Sequence, residues 1–499
     1  MRKLLIILFL LKGLYSSGQN LNNWDTAWVN SFGGPSIDIG KDIKETSDKG
    51  FIIAGTSSSF GNGNTSFYII KTDSMGLHQW SKAIGSNYND IAYSVDIASD
   101  GGYFFSGISN WNIQSGYDGY LIKTDNLGNV LWSKNYGGND WDFIYNSCLM
   151  PDGGLLLCGE TYSDSKGGAD AYLIRTNANG DTLWTKKIGT TGNDAFYSVE
   201  QKNNRIYVVG KTHNTLTNKS NASIYQLDYN GNILKQDFFS QNTADDHEYK
   251  DLYLTGSGDV LLCGKRSSNS TPYYILRKID TTNFNQFNSF TSPQNIFYNC
   301  IIEGNNNDIY TLAQNVGGAG GTAVLFHRFN STFTYLNAAN FGGIKDEDGF
   351  EIIRTSRGYA FVGWTKSYGN QNNSTDENVY LVVFNKKDLV NDYFLIVTEF
   401  QDNLPMVGLN ENKINLTKTI VYPNPINTIS AIRFDEDNLD GKTISYQLYD
   451  SQGKLVSEEN IVITNKHIMI NRNELNTGIY TYKLKLNSLP ISTGKLSVE

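Results

Sequence analysis

Four tryptophans, Trp28, Trp80, Trp132 and Trp184, follow one another at a constant interval of 52 residues, and the residues around them repeat in step. Tandem units of this kind bury a continuous core only by stacking on one another, and a period of about 50 residues is typical of a β-propeller blade. The spacing therefore predicts a propeller built from copies of one unit.

Each unit predicts a four-stranded antiparallel meander. In the second unit the strands are predicted at 91–98, 103–107, 118–123 and 130–134, joined by glycine-containing turns such as Asp-Gly-Gly at 100–102. Glycine supplies the positive φ that tight hairpins need. A glycine ends the second strand of most units, at Gly55, Gly107, Gly159, Gly210, Gly264 and Gly363.

Seven units are predicted between residues 24 and 400, with the strand around Trp28 completing the last blade. Ring closure of this kind leaves no open sheet edge. The predicted fold class is all-β: a seven-bladed β-propeller followed by a small C-terminal β-sandwich. The composition agrees, because 48 glycines against 8 prolines suit short strands joined by tight turns.

Charge excludes one class of partner. The chain carries a net charge of −9 and no cluster of Lys or Arg. Nucleic-acid binding needs a dense basic face, so no nucleic-acid partner is expected.

The N-terminus predicts a secretory signal peptide. Arg2 and Lys3 precede an apolar run at 4–11, and small residues then lead to a predicted cleavage between Gly18 and Gln19, so residues 1–18 form the signal. A membrane anchor is the less favoured alternative, because Lys12 interrupts a run already too short to span a bilayer.

The repeat stops before residue 416, after a predicted linker at 401–415, and a new set of alternating strands begins. Short motifs punctuate this segment. They include Tyr422, Pro423, Asn424 and Pro425, then Gly453 and Lys454, Gly478 and Tyr480, and finally Gly494 and Lys495 near the end of the chain.

By these motifs and their order, residues 416–499 resemble the type A C-terminal sorting domain of the type IX secretion system, found in Bacteroidetes. The resemblance implies export by the general secretory route, recognition of this module by the type IX machinery at the outer membrane, and release or attachment to surface lipopolysaccharide. The propeller repeat is similar to the Asp-Gly-Gly repeats of secreted bacterial proteins that carry such domains. The expected localisation is secreted or cell surface.

One repeat position suggests a ring of oxygen ligands. Counting along the repeat assigns the loop before each innermost strand an acid or amide, at Asp38, Asp90, Asp142, Asp194, Asp246, Asn295 and Asp348. Such a ring at one mouth of the central channel could attract Ca²⁺. The favoured alternative is that each side chain accepts backbone N–H bonds within its own loop, so that no cofactor is expected and metal binding stays open.

Aromatic residues outside the repeat register are candidates for ligand stacking, namely Trp111, Trp141 and Trp364. The repeating tryptophans themselves are expected to pack between blades. Variable loops before the third strands, at 61–66, 110–117 and 161–169, differ while the scaffold repeats, which is how specificity is often mounted on a rigid fold.

No catalytic constellation is present in the sequence pattern. The five histidines are scattered and none has zinc-ligand spacing. The four cysteines, Cys148, Cys158, Cys263 and Cys300, permit disulfides in an exported chain, but two of them share one repeat position, which favours buried thiols. The sequence thus predicts an exported propeller that binds an extracellular glycan or protein. The alternative is a hydrolase or lyase acting on polysaccharide.

Overall fold

The computed structural model describes most of the chain, in two compact units, Met1–Pro405 and Met406–Glu499. The residues described are 24–111, 116–240, 244–267, 273–292, 296–318, 321–342, 345–368, 377–386, 398–400, 419–422, 429–434, 441–450, 454–464, 467–471, 475–486 and 489–498. The predicted signal peptide with Gly18 and Gln19, the linker at 401–415, and Asn295, Pro423, Asn424, Pro425 and Gly453 lie outside these ranges.

In the described ranges of the first unit, the strands form seven sheets that each follow the predicted meander. Blade 1 contains β2 (Asp38–Glu45), β3 (Phe51–Ser57), β4 (Ser66–Thr72) and β5 (His78–Ile84). Blade 2 contains β6 (Asp90–Ile97), β7 (Tyr103–Ser109), β8 (Asp118–Thr124) and β9 (Val130–Tyr136). Blade 3 contains β10 (Asp142–Leu149), β11 (Leu155–Thr161), β12 (Asp170–Thr176) and β13 (Thr182–Ile188).

The later blades keep the same order in spite of their divergent sequence. Blade 4 contains β14 (Ala195–Lys202), β15 (Arg205–Asn214), β16 (Lys219–Leu227) and β17 (Ile233–Phe239). Blade 5 contains β18 (Asp246–Leu254), β19 (Asp259–Ser267), β20 (Tyr273–Asp280) and β21 (Gln286–Thr291). Blade 6 contains β22 (Ile296–Glu303), a 3₁₀ turn (Asn305–Asn307), β23 (Ile309–Gly318), β24 (Gly321–Phe329) and β25 (Tyr335–Phe341).

Blade 7 is completed by the N-terminal strand, as the sequence predicted. It contains β26 (Glu347–Arg354), β27 (Gly358–Thr365) and β28 (Asn378–Lys386), and β1 (Trp24–Phe32) pairs antiparallel with β28. A short strand, β29 (Thr398–Phe400), runs parallel beside β1. The first strand of each blade contacts that of the next, and β2 contacts β26, so the inner strands form a closed ring. The all-β propeller is therefore confirmed.

The core lies between neighbouring blades. Ile52 and Phe67 of blade 1 pack with Val95 and Phe105 of blade 2, and all four are fully buried. Burial of an aliphatic or aromatic side chain contributes about 1.5–3 kcal/mol, so each added blade stabilises the one before it. All four cysteines are free thiols, as favoured from the sequence.

Three of the repeating tryptophans, Trp80, Trp132 and Trp184, occupy blade interfaces, where each meets a glycine of the next blade. Trp80 lies against Gly128, and a Cβ on that glycine would stand 2.7 Å from the Trp80 ring. The same contact joins Trp132 to Gly180 and Trp184 to Gly231. These glycines end the Asp-x-x-Gly turn, which explains why the turn and the tryptophan occur together in the repeat.

The second unit contains two described sheets. One is ordered β30 (Thr419–Tyr422), β31 (Ile429–Phe434) and β34 (His467–Asn471). The other is ordered β33 (Leu455–Val462), β32 (Thr443–Tyr449), β35 (Gly478–Leu486) and β36 (Leu489–Val498). Ile432 and Ile468 of the first sheet share one core with Tyr446 and Tyr482 of the second, so the two sheets pack face to face.

The Trp80–Gly128 contact can be tested with a matched pair of substitutions in blade 2. Gly128 and Gly101 both have positive φ, but only Gly128 faces a tryptophan, since a Cβ at Gly101 meets no atom within 4 Å. We expect Gly101→Ala to lower the free energy of unfolding by about 1 kcal/mol through backbone strain, and Gly128→Ala by about 2–3 kcal/mol because Trp80 must also move. Guanidinium unfolding measures both, and equal losses would contradict the proposed contact.

Ring closure can be tested at Val29, which is 3% exposed in β1 and packs with Val382 and Phe384 of blade 7. Val29→Asp places an unpaired charge in this core and is expected to cost about 3 kcal/mol or more. Val130→Asp is the control, because Val130 is 47% exposed on an outer strand and its substitution should change stability by about 0.5 kcal/mol at most. Similar thermal midpoints for the two variants would show that β1 is dispensable.

Candidate ligand-binding face

One face of the propeller collects the start of each first strand, the end of each second strand and the start of each third strand. The antiparallel pairing of the strands within each blade brings these ends together. The variable loops at 61–66 and 161–169 join second to third strands, so they also lie on this face. The described ends of the loop at 110–117 lie there too, while its residues 112–115 are outside the described ranges. We call it the loop face.

Strand register aligns the predicted ring residues of blades 1 to 4 but not those of blades 5 and 7. Four of the predicted residues occupy equivalent positions, because each lies two residues before the residue that pairs with the strand-ending glycine. They are Asp38, Asp90, Asp142 and Asp194. In blades 5 and 7 the equivalent residues are His247 and Glu347, one position away from the predicted Asp246 and Asp348.

The physical reason for this error is a change in spacing. The step from blade 4 to blade 5 is one residue longer than the earlier steps, so counting by a constant interval reaches Asp246 instead of His247. In blade 6 the equivalent residue is Ile296, which cannot ligate a metal. The mouth ring is therefore not seven oxygen ligands.

The four aligned aspartates hold their own loops. Asp38 is buried and its Oδ2 accepts hydrogen bonds from the Gly34 amide, at 2.7 Å, and from the Ser59 hydroxyl, at 2.6 Å. Asp142 does the same with Gly138 and Ser163. This is the capping role that the sequence favoured, and among the described residues no three His, Cys, Asp or Glu side chains gather as a metal site.

A different ring surrounds the axis, one bulge in each first strand. The register of every first strand shifts once, leaving one residue unpaired: Lys41, Tyr93, Tyr145, Tyr197, Lys250, Asn299 and Phe350. Several of these side chains touch across blades. The Tyr93 and Tyr145 rings meet edge to face at 5.7 Å, and Lys250 Nζ lies 3.9 Å from the centre of the Tyr197 ring. A bulge re-aims its side chain, which is how these residues come to converge.

Carboxylates next to the bulge ring join neighbouring blades. Asp42 Oδ2 accepts from the Val95 amide of blade 2 at 2.9 Å, and Asp251 Oδ2 accepts from the Ile301 amide of blade 6 at 3.0 Å. Lys44 forms an ion pair with Asp42 at 2.7 Å. Burial raises the pKa of Asp96 to about 6 and that of Glu200 to about 8.

An aromatic strip crosses the loop face from its rim toward the axis. It consists of Tyr117, Trp141, Phe143, Tyr145, Tyr162 and Tyr197, with neighbouring rings in contact. Trp141 is 50% exposed, and its ring lies against Gly116, where a Cβ would clash with the ring at 2.0 Å. Phe143 stacks between Tyr117 and Tyr145 at centroid distances of 5.9 and 6.0 Å.

The other two predicted stacking residues lie outside this strip. Trp111 is 51% exposed and its Nε1 donates to Asp118 at 3.1 Å. Trp364 is half-buried in blade 7, where the Lys366 ammonium lies 5.2 Å from the ring centre. The structure thus brings one of the three tryptophans, Trp141, into an aromatic cluster.

A polar cavity of about 600 Å³ opens beside the strip, between blades 4 and 5. The strip leads to it through Tyr197 and Lys250, because Lys250 also forms an ion pair with Glu248 in the cavity wall at 3.0 Å. The lining residues are Gly168, Thr191, Gly192, Asn193, Lys211, His213, Asn218, Ser220, Asp246, His247, Glu248, Lys265 and Ser267.

This cavity could not be predicted from the sequence, because its lining comes from six separate segments of different repeats. One signal was available. Lys211 and Lys265 each follow a strand-ending glycine, Gly210 or Gly264, in successive repeats. A basic residue recurring beside such a landmark could have marked both as neighbours on one face.

In the C-terminal unit, the described sorting-motif residues have structural contacts. Tyr480 is buried and its hydroxyl donates to the Asn476 carbonyl at 2.8 Å. The Lys454 amide donates to Asp450 Oδ1 at 2.9 Å and so closes the turn between β32 and β33. Gly478 begins β35, while Tyr422, Gly494 and Lys495 lie in strands β30 and β36.

Comparison with known families identifies this unit. Residues 420–499 match the family described as "Secretion system C-terminal sorting domain". They form a type IX sorting domain. The sorting domain marks the chain for secretion or display at the cell surface through the type IX machinery. In the described part of the chain, no helix has the length and apolar character needed to cross a bilayer.

The propeller has more distant similarities. The chain is 27% identical over 174 residues to regulatory protein FlaEY of Caulobacter vibrioides, covering 30% of this chain and 18% of that relative. It therefore spans less than a fifth of that relative's length.

Solved structures with similarity include the propeller domain of the Trilobed protease from Pyrococcus furiosus, at 10% identity and a TM-score of 0.43, covering 70% of this chain and 95% of that one. Polysaccharide lyase Uly1 is similar at 11% identity and a TM-score of 0.43, covering 71% and 91%. A Dyadobacter fermentans protein of unknown function is similar at 10% identity and a TM-score of 0.41, covering 74% and 96%. At these TM-scores the likeness does not bear on activity.

The titration of Glu200 predicts how stability depends on pH. Its unfolded-state pKa is near 4.5, so between about pH 4.5 and 8 the folded chain holds a proton that the unfolded chain has lost, and stability falls as the pH rises. Glu200→Gln keeps an acceptor for the Leu254 amide and removes the titration. The slope of unfolding free energy against pH should then become shallower, by up to about 1.4 kcal/mol per pH unit.

Chemical denaturation at pH 4, 6 and 8 measures this slope. Wild type and variant should be of similar stability at pH 4, where Glu200 is protonated in both states, and the variant should be the more stable at pH 8. Parallel profiles would mean that Glu200 does not titrate in this range.

Proposed function

We propose that this exported propeller binds an extracellular glycan along the aromatic strip and in the adjoining cavity. The observation that carries the proposal is the continuity of the two features on one face: aromatic rings in contact run from Trp141 through Phe143 and Tyr145 to Tyr197, and the wall of a polar cavity follows. A sugar chain has apolar ring faces and polar hydroxyl edges, and this surface offers a counterpart to each.

The strip supplies area at low entropic cost. Aromatic side chains have few rotatable bonds, so they stay ordered while exposed and lose little freedom on binding. Here they are also held by one another, because Phe143 contacts Tyr117, Trp141, Tyr145 and Tyr162. The platform is thus preorganised, which favours affinity.

The cavity supplies hydrogen-bonding groups. Asn193, Asn218 and Ser220 present amides and hydroxyls to a space large enough for a small ligand or one or two sugar rings. Such groups fix the orientation of a hydroxylated ligand, whereas the strip is tolerant of sequence and linkage.

A lyase or hydrolase acting on polysaccharide is the second candidate, because two carboxyl groups, Asp246 and Glu248, line the same cavity. Both are ion-paired, Asp246 with Lys219 at 3.2 Å and Glu248 with Lys250 at 3.0 Å. Burial raises the pKa of Asp246, but the Ser220 amide and the Lys219 ammonium outweigh it and hold the pKa below its usual value. A carboxylate kept ionised in this way is a poor general acid, so binding is the better-supported function.

The propeller would act outside the cell. In this proposal residues 1–18 direct export to the periplasm in a bacterium of the Bacteroidetes, the sorting domain is recognised at the outer membrane, and the propeller is then released or attached to surface lipopolysaccharide. A protein ligand is the remaining alternative, and it would use the same face. Calcium would act only if it joins residues of this face, so binding is measured with and without Ca²⁺.

The aromatic strip predicts the effect of one substitution. Trp141→Ala removes the most exposed ring of the strip and should weaken glycan binding by about tenfold, the loss of roughly 1–2 kcal/mol of stacking. Phe287→Ala is the control, because Phe287 is 54% exposed on an outer strand away from the loop face. Binding of the full chain to a glycan array, with an assay for new sugar ends, measures both variants.

Weaker binding of both variants to the same degree would argue against the strip as the site. New sugar ends would establish the enzyme instead, and a silent array together with capture of an extracellular protein would establish the protein ligand. Binding lost on removal of Ca²⁺ would add a metal to the site.

A further inference from the structure

The charges of the cavity do not cancel. Two carboxylates in its wall already have partners, Asp246 with Lys219 and Glu248 with Lys250. Lys211 and Lys265 also line the cavity, and among the ion pairs of the described residues none involves either lysine. Among the described residues, the cavity therefore holds two ammonium groups that form no ion pair at contact distance.

The two lysines face the cavity for a structural reason. Each follows a strand-ending glycine, in blade 4 or blade 5, and each pairs across to a first strand, Lys211 with Ala195 and Lys265 with Glu248. They occupy the same repeat position in adjacent blades and therefore approach the cavity from two sides.

One further carboxyl group, that of Glu160, interacts electrostatically with Lys211 but hydrogen-bonds to the aromatic strip. Glu160 occupies in blade 3 the repeat position that Lys211 occupies in blade 4. It accepts a hydrogen bond from the Tyr145 hydroxyl at 2.9 Å. Burial raises the pKa of Glu160, although Tyr145, Lys211 and Lys250 act in the opposite direction. Glu160 therefore supports the aromatic strip through Tyr145, and among the described residues it forms no ion pair with Lys211.

We infer that this cavity selects an anionic sugar, a uronate or a sulfate ester, through Lys211 and Lys265. The inference rests on the proposed glycan binding and names the class of glycan. A carboxylate or sulfate between the two lysines would make charge-assisted hydrogen bonds, which are about twice as strong as neutral ones. The sugar hydroxyls would then meet Asn193 and Ser220.

The surroundings sharpen the selection. The chain as a whole carries a net charge of −9, so it repels a polyanion at most places, and a local excess of ammonium groups concentrates binding in one site. The cavity floor is also built closely. The His213 imidazole lies on Gly192, where a Cβ would clash at 2.2 Å, so the space depends on this glycine.

The experiment compares polysaccharides that share a backbone and differ in charge. Polygalacturonate is paired with highly methyl-esterified pectin, and sulfated carrageenan with the same carrageenan after chemical desulfation, each bound to the full chain at low and at moderate salt. We expect at least about tenfold tighter binding of one acidic member than of its neutral partner, a factor worth about 1.4 kcal/mol. The preference should shrink as salt is added.

The variants assign the preference to the two lysines. Lys211→Gln with Lys265→Gln should reduce binding of the acidic member to that of the neutral one, and Lys211→Arg with Lys265→Arg should keep the preference. Each single variant, Lys211→Gln or Lys265→Gln, should lose part of the preference. Lys186→Gln is the control for these single variants, because Lys186 lies on the outer strand β13, also has no ion pair among the described residues, and likewise loses one charge. It should leave binding unchanged within about twofold.

The outcomes separate the two proposals. Equal binding of acidic and neutral members, or a preference that survives the double glutamine variant, would overturn the choice of anionic sugars and leave glycan binding intact. No binding to any of the four polysaccharides or to the glycan array would overturn the proposed function itself. If the double variant does not fold, the salt dependence of the wild-type preference still decides the charge effect.

Discussion

The propeller depends on a contact that recurs at its blade interfaces, between a tryptophan side chain of one blade and a glycine turn of the next. Trp80, Trp132 and Trp184 each fill the space above a glycine of the next blade. In the divergent blades the same space is filled from the other side. The residue at the tryptophan position of blade 4 is Lys235, and the turn of blade 5 carries Phe284 in place of glycine, with the Lys235 ammonium 5.2 Å from its ring centre. Phe284 takes a positive φ of 58°, an unusual conformation for phenylalanine that buried packing must hold in place. The bulky side chain is now in the turn of one blade instead of the fourth strand of the blade before it, and the volume between the blades is still filled.

The same exchange explains how far the sequence could predict the fold. A tryptophan at a constant interval and the Asp-x-x-Gly turn are signals because both are present together in the early blades, and they predicted the meander, the ring and its closure by β1. The later blades lose both signals at once, since removing the tryptophan permits a phenylalanine in the next turn. The strand-ending glycine is still present in blade 7 because the space beside it is taken by backbone. A Cβ at Gly363 would stand 1.8 Å from the Asp348 carbonyl oxygen, and exchanging a neighbouring side chain does not relieve a clash with backbone.

The candidate site was less predictable, for two physical reasons. First, one inserted residue before His247 moves the side chains of β18 by one position relative to the repeat, and in a strand this reverses the face on which a residue lies. Asp246 thus left the predicted ring and became part of the cavity wall. Second, the strip and cavity consist of side chains from different blades, such as Trp141 with Tyr117 or Lys211 with Lys265, and no spacing within one repeat records such contacts. Trp141 could be singled out only because it is a large aromatic residue outside the repeat register.

These features divide the propeller into a side that stabilises and a side that varies. The turns that meet the tryptophans lie at the end of each blade opposite the loop face, so the contacts between large and small residues that hold the ring together are remote from the strip and the cavity. Around the axis, the blades are joined by the bulge ring and by two hydrogen bonds, from the Val95 amide to Asp42 and from the Ile301 amide to Asp251. Residues on the loop face can therefore change from Ile39 and Ile91 in blades 1 and 2 to Phe143 in blade 3 and Glu248 in blade 5 without disturbing the interfaces. These four occupy one repeat position, at which blade 4 has the buried Ala195, so the side chain changes from aliphatic to aromatic and, past blade 4, to charged. The aromatic strip and the cavity thus lie side by side, and the proposed binding of a polymer with apolar rings and charged substituents depends on that adjacency.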